Sequence, residues 1–469
     1  MTVELLSDER RVAGGCSSPI RLKGHTDHVD RASGEVRRAF SSAAQPGRVV
    51  HVRCNNRRES VCPACSQTYK RDARRLVLAG LTGGDGLPAH IGDHPALFVT
   101  LTAPSFGPVH SRRSKGKNGQ ARACRPRRGT CPHGRPAGCH ARHGDGDRLL
   151  GKPLCGDCFD YAGAVVWNAM LPMLWKVTRD RLESALAAAS GRSVAALRRE
   201  LRVTFVKAAE MQARGLVHLH VVIRVDGRGA ATDDIVPPPG WASLDLVADC
   251  LREVAAGVTV DAPDPADPAG VVPVRWGAQM DVRALATDGP DTSGKIANYL
   301  AKYLTKSVTG SGLLDRPVRS LAHLARLALD GHARRMVETC WTLGSVEGFA
   351  AALDDAAGRK PGRLPGLHRW SHGFGFGGHW ITKSRRYSTT FGALRGARRV
   401  YARTMAAVMS GGLPVDAFGR PDGDSRTIVV GAWSYAGRGS PGESDTGGPP
   451  PAGPLRAAVR VPGSWRAGQ

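Results

Sequence analysis

Glu210-Met-Gln-Ala-Arg-Gly-Leu-Val-His218-Leu-His220-Val-Val-Ile223 decides how this chain folds. Val203-Thr-Phe-Val-Lys-Ala-Ala209 before it and the run Val217 to Val225 are rich in strand-forming residues, and Ala213-Arg214-Gly215 between them has turn chemistry. The stretch therefore reads as a tight antiparallel hairpin. Residues i and i+2 of a strand share a face, so His218 and His220 project together while Leu219 points toward a core. With the turn centred near Arg214, Glu210 and His218 lie four residues to either side of it and face each other. Two imidazoles and a carboxylate on one face suit a divalent ion that keeps positions open for oxygen ligands. The plainer alternative is a pair of polar residues on the wet side of a half-buried strand.

Outward from the hairpin, helices and strands alternate. Ala96 to Ala103, bounded by Pro95 and Pro104, reads as a strand, and Tyr161 to about Ala189 as a helix with Val165, Ala169, Met173 and Val177 on one side. Helices are also expected at 193–201, 244–256 and 294–307, and a strand at 274–282. One tight hairpin among helices suggests an α+β domain with an antiparallel sheet. Composition divides the chain into a disordered arm (1–48), a Cys/His-rich metal-stapled module around the first strand (49–160), the hairpin domain (161–310), a basic helical region (311–410) and a disordered Gly/Pro/Ser tail (411–469).

Sixty-six Lys and Arg against 41 Asp and Glu leave a formal charge of +25, a surplus that attracts polyanions, nucleic acid foremost. No basic amphipathic helix with a bulky apolar side argues for a membrane surface, and no run of about 18 apolar residues spans a bilayer. The first ten residues lack the features of a signal peptide, so the expected location is the cytoplasm. There the 11 cysteines should be thiols or metal ligands.

Cys62-Pro-Ala-Cys65 and Cys155-Gly-Asp-Cys158 are half-sites for structural Zn²⁺. The simplest assignment closes one site with Cys131, Cys139, Cys155 and Cys158, and a second with Cys54, Cys62, Cys65 and an undetermined fourth ligand. Alternatively, both pairs share one ion. Cys124, His51, His133, His140 and His143 stand near as substitutes, whereas Cys16, Cys250 and Cys340 read as inert thiols.

A second short motif lies downstream. In Lys295-Ile-Ala-Asn-Tyr299-Leu-Ala-Lys302-Tyr303-Leu-Thr-Lys306, helical spacing places Tyr299 with Lys295, Lys302 and Lys306, and Tyr303 at the boundary of the apolar side. The phenols are neighbours at i and i+4, and adjacent lysines favour the phenolate and attract phosphate. The plainer reading is two tyrosines edging an amphipathic helix. Further on, Lys383, Arg385, Arg386 and Tyr387 interleave cations with an aromatic ring, a pattern that suits phosphates and bases.

Phe98-Val-Thr-Leu-Thr102, His218-Leu-His220 and Tyr299-Leu-Ala-Lys-Tyr303, in that order, resemble the three motifs of HUH endonucleases. Within these the chain most resembles rolling-circle replication initiators of actinobacterial plasmids and integrative elements. Pro153-Leu-Cys-Gly-Asp-Cys-Phe-Asp-Tyr-Ala-Gly-Ala-Val-Val-Trp-Asn168 and Gly378-His-Trp-Ile-Thr-Lys-Ser-Arg-Arg-Tyr-Ser388 extend the likeness over roughly residues 50–405. The resemblance implies a five-stranded antiparallel sheet with packed helices, and Mg²⁺ or Mn²⁺ on His218 and His220; Glu210 as third ligand rests on the hairpin register alone, since other HUH proteins draw that ligand from elsewhere. It implies that Tyr303 attacks a phosphodiester at the origin, leaving a 5′-phosphotyrosyl link and a 3′-OH. Similar single-tyrosine initiators carry Glu where Tyr299 stands, so Tyr299 is assigned the closing transfer. Origin DNA, double- and single-stranded, is the implied partner. No Gly-x-x-x-x-Gly-Lys-Ser/Thr loop is present, so a host helicase and polymerase would join it. The competing readings are a two-tyrosine HUH transposase and a zinc-dependent DNA-binding regulator without catalysis.

Overall fold

The computed structural model describes residues 13–115, 121–231, 234–267, 269–285, 290–305, 314, 317–360, 362–409, 426–439 and 455–457. In chain order come β1 (Ile20–Asp30), β2 (Val36–Ser41), β3 (Val50–Val52), α1 (Pro63–Thr82), β4 (Ala96–Leu101), β5 (Arg113–Lys115), β6 (Ala121–Arg122), α2 (Tyr161–Ala189) and α3 (Val194–Glu200). Then follow β7 (Leu201–Met211), β8 (Val217–Arg228), β9 (Ile235–Val236), α4 (Leu244–Gly257), β10 (Thr259–Pro263), β11 (Val271–Arg275), β12 (Met280–Ala284) and α5 (Pro290–Thr305). The chain continues with α6 (Leu321–Ala325), α7 (Gly331–Gly344), α8 (Phe349–Ala356), α9 (Gly366–Trp370), β13 (Ile381–Lys383), α10 (Phe391–Met409), β14 (Thr427–Arg438) and β15 (Leu455–Ala457). The architecture is α+β with antiparallel sheets. It divides into two units, Met1–Leu76 with Thr389–Gln469, and Val77–Ser388.

In the first unit β1 pairs with β14 from Ile20↔Arg438 to Asp30↔Thr427, and with β2 and β3 along its other edge. This corrects the expectation of a disordered arm at 1–48 and a disordered tail at 411–469, as far as the described residues go. The reason is physical: no residue of β1 is fully buried, so it shows no apolar alternation, and its long partner lies some 400 residues away. Only the pairing itself identifies the strand.

The second unit is built on a sheet in the order β12-β4-β8-β7-β13, every neighbour antiparallel, with the short β9 beside β8. The division at Leu76/Val77 and Ser388/Thr389 cuts across the boundaries read from composition. β13 shows why: although it lies in the basic region, it completes the sheet edge beside β7. One face of the sheet is apolar. Val217, Leu219, Val221, Ile223 and Val225 of β8 share a buried cluster with Val165, Val166, Ala169, Met170 and Leu174 of α2. Asp160 caps that helix, its carboxylate accepting the Gly163 N–H at 2.7 Å.

Asn168 of α2, fully buried, ties the helix to the hairpin. Its amide donates to the carbonyls of Gly215 (2.8 Å) and Phe374 (3.0 Å), and its oxygen accepts the Val217 N–H at 3.1 Å. Gly215 adopts φ +79°, which a side chain would resist, so the turn closes only with glycine here. Val217 immediately precedes His218, so the clasp fixes where the histidine strand begins. Asn168→Leu strands three buried backbone groups, each costing about 1–3 kcal/mol. The expected result is a loss of at least about 3 kcal/mol in urea denaturation followed by tryptophan fluorescence; a midpoint unmoved by the substitution contradicts the clasp.

Candidate functional site

The polar face of the same sheet carries the histidines. Glu210 of β7 stands opposite His218 of β8, and Ala208 opposite His220, the register that the spacing around Arg214 requires. Nε2 of His220 lies 3.3 Å from Oε2 of Glu210, and its Nδ1 lies 3.3 Å from the Thr100 hydroxyl of β4. The two imidazole centroids are 4.6 Å apart. His218 has the Gln212 amide nitrogen 3.4 Å from its Nδ1. Burial, then the neighbouring His220, pulls its pKa down to about 4, so His218 is a neutral imidazole at ordinary pH. Arg214 anchors the turn by donating to the carbonyls of Ala103 (3.1 Å) and Pro104 (3.0 Å), just beyond β4.

Helix α5 brings Tyr299 to this face. Its ring meets His220 edge-on at 5.2 Å and Phe98 at 5.7 Å, while Ala297 and Leu300 of the same helix are buried. Tyr299 remains 39% exposed, so the phenol borders solvent. Lys295 is exposed. Lys302 and Tyr303 lie within α5, their side chains outside the described residues, and Lys306 lies outside them altogether.

Farther along β8 the same face becomes structural. Arg224, fully buried, forms a bidentate pair with Asp226 (2.6 and 2.9 Å), and Asp226 also holds His94 at 2.8 Å. Two residues expected to contact DNA are consumed here. Tyr387 is fully buried, its hydroxyl donating to the Val77 carbonyl at 3.2 Å and its ring 5.3 Å from the Arg224 guanidinium. It has no face to stack on a base. Lys383 donates to the carbonyls of Ser384, Arg385 and Ser388 at 3.3, 3.2 and 2.7 Å, which ties a turn together. Arg385 and Arg386, by contrast, line a cavity of about 540 Å³ with His90 and Asp234. Alternation in sequence does not distinguish a ring that points inward from one that points out.

All 11 cysteines are unbonded thiols. Among the described residues, three groups bring one ligand atom each within 4.8 Å of all the others and could hold a metal: Cys16, Cys54, Cys62 and Cys65; Cys131, His133, Cys155 and Cys158; and His110, Cys124, Cys139 and His143. Glu210 with the two histidines is a looser set and is not among them. Cys16, read as inert, stands as the fourth member of the group beside Cys54, Cys62 and Cys65. It sits 38 residues before Cys54, with no CxxC spacing to mark it. Burial raises the Cys62 thiol, but the N–H groups of Ser17 and Cys65 outweigh that and bring it down to about 6. Cys139 does not join Cys131, Cys155 and Cys158; His133 takes that place, 3.3 Å from the Cys158 sulfur. Cys139 belongs instead to a third group that the sequence reading missed. Cys250 and Cys340 are buried outside all three.

Burial also brings His332 down to about 4, with its Nδ1 3.0 Å from the Tyr161 hydroxyl. Both His218 and His332 thus bind protons more weakly folded than unfolded, where the value is 6.5. The unfolded state takes up more protons as pH falls from about 6.5 to 4, so stability declines across that window. Thermal denaturation across it should show a falling midpoint, with a shallower slope for His332→Gln. Equal slopes for the two proteins would remove His332 from the account.

Among the described residues no helix is long and apolar enough to cross a membrane. No solved structure matches the chain. Residues 3–447 match the family described as "Replication initiator protein, pSAM2". A replication initiator protein of Streptomyces ambofaciens is 41% identical over 448 residues, covering 93% of this chain and 87% of that protein. The match spans both units and every residue of the histidine face, and the chain belongs to the pSAM2 replication initiator family.

Proposed function

We propose that this initiator opens its replication origin by HUH chemistry: it nicks one DNA strand through a tyrosine–phosphate link and later rejoins it. The observation that carries the reading is Glu210 in register with His218, His220 beside them, and the Tyr299 ring 5.2 Å from His220. A carboxylate and a half-buried neutral imidazole fit a divalent ion such as Mg²⁺ or Mn²⁺, held by His218, His220 and Glu210. The ion, when bound, would polarise the scissile phosphodiester and offset its charge against an anionic nucleophile.

The protein's own groups do the rest. Thr100 engages Nδ1 of His220 and leaves Nε2 aimed at Glu210, a typical way to orient a ligating imidazole. Tyr303 loses its phenolic proton and its oxygen attacks phosphorus; the bond to the 3′-oxygen breaks, and that oxygen leaves as the 3′-OH after taking a proton. The DNA 5′-phosphate is then held on Tyr303. Tyr299, one helical turn away, serves the closing transfer. Lys302 between them favours the phenolate and, with Lys295 and Lys306, draws in the phosphate backbone. Arg385 and Arg386 would contact DNA at their cavity. The Cys16 and Cys131 groups hold structural Zn²⁺. A host helicase and polymerase complete the reaction.

The test incubates full-length protein with origin DNA and Mn²⁺ and seeks a covalent adduct on a denaturing gel. Wild type should give one; Tyr303→Phe should lose the first nick, Tyr299→Phe should keep it and fail to rejoin, and the double variant should give none. An adduct in the double variant, or none in wild type, overturns the reading.

A further inference from the structure

We infer that His110, Cys124, Cys139 and His143 bind a zinc ion of their own, separate from the two structural sites above, and that this ion staples a ribbon against the histidine hairpin. The ribbon runs from Cys124 to Ala141. Its two arms exchange backbone bonds: Cys124 N–H to the Ala141 carbonyl (2.9 Å), Arg125 and Cys139 reciprocally (2.8 and 2.7 Å), and Cys131 N–H to the Arg135 carbonyl (2.7 Å). Residues 125–130 are all exposed, and no apolar side chain of the ribbon joins the unit's core cluster. Such a ribbon cannot be stabilised by apolar burial, and metal staples are the usual substitute. The Cys131 group lies at its tip and the Cys124–Cys139 pair at its base.

The base is arranged as a metal site down to its outer contacts. Nε2 of His143 lies 3.1 Å from Nδ1 of His110 and 3.4 Å from the Cys139 sulfur. On its far side Nδ1 of His143 meets Oδ2 of Asp147 at 2.6 Å, which sets the tautomer that leaves Nε2 free to ligate. The Ser111 N–H donates to the Cys124 sulfur at 3.1 Å. His143 and Cys124 are 4% and 1% exposed and His110 and Cys139 are half-buried, so the four donors are largely shielded from water. A Cys₂His₂ set suits tetrahedral zinc.

The site also lies behind the β7–β8 turn. His110 exchanges backbone bonds with the Gly151–Lys152 segment, its N–H donating to the Lys152 carbonyl and its carbonyl accepting from the Gly151 N–H, both at 2.8 Å. Gly151 has φ +80°, and a Cβ there would stand 2.5 Å from the Cβ of Ala213 in the β7–β8 turn. Zinc on His110 thus backs the turn from which His218 departs.

The experiment is zinc content of the full chain, purified under reducing conditions and measured by elemental analysis alongside protein mass. Wild type should carry three zinc ions, one for each four-residue group. Cys124→Ser with Cys139→Ser should carry two, and His143→Cys, which keeps four ligands, should carry three. Asp147→Asn should keep three but lose one to a chelator about 10–100-fold more readily. A count in the double serine variant equal to that of wild type, or a Cys124–Cys139 disulfide in the native protein's mass, would each overturn the site. These outcomes are independent of DNA cleavage, so they stand or fall apart from the nicking proposal.

Discussion

The antiparallel pairing of β7 with β8 is the constraint from which the rest follows. Side chains alternate across a strand, so one register decides two things together: which residues enter the core and which form the polar face. With Glu210 opposite His218, Leu219 and Val221 are buried beneath α2 while His218 and His220 face away from it. A slip of one residue would turn both imidazoles toward α2 and the apolar row away from it. The clasp of Asn168 on Gly215 and Val217, and that of Arg214 on Ala103 and Pro104, hold the register at the turn, where a slip would begin.

The polar face is graded along its length. Near the turn, His218, Glu210 and Tyr299 are partly open to solvent. Toward the other end of β8, Arg224 and Asp226 are closed into a network with His94 and Tyr387. A buried pair of this kind contributes little net stability but penalises any rearrangement that separates the charges. Chemistry can therefore be confined to one end of a sheet whose other end is rigid.

The parts legible in sequence were the local ones. The hairpin showed through its β-branched alternation and its turn glycine, α2 through apolar residues at helical spacing, and two cysteine groups through CxxC pairs. The parts that stayed hidden depend on distant chain segments. β1 shows no alternation and is identified only by its pairing with β14, and Cys16 joins a cluster only because the fold carries it to Cys62 and Cys65. A signal for Cys16 did exist: three clustered cysteines needed a fourth. His133, two residues after Cys131, was likewise within reach of a spacing argument. Tyr387 was misplaced because a basic, aromatic stretch looks the same whether its ring packs inward or outward.

The proposed nicking by this protein depends most directly on whether the histidine face holds a divalent ion. Manganese binding to the zinc-replete full chain, followed by electron paramagnetic resonance of free Mn²⁺, measures this without DNA. One saturable site is expected in wild type, lost in the double variant His218→Ala with His220→Ala and weakened in Glu210→Gln. An undiminished site in the double histidine variant would contradict the account.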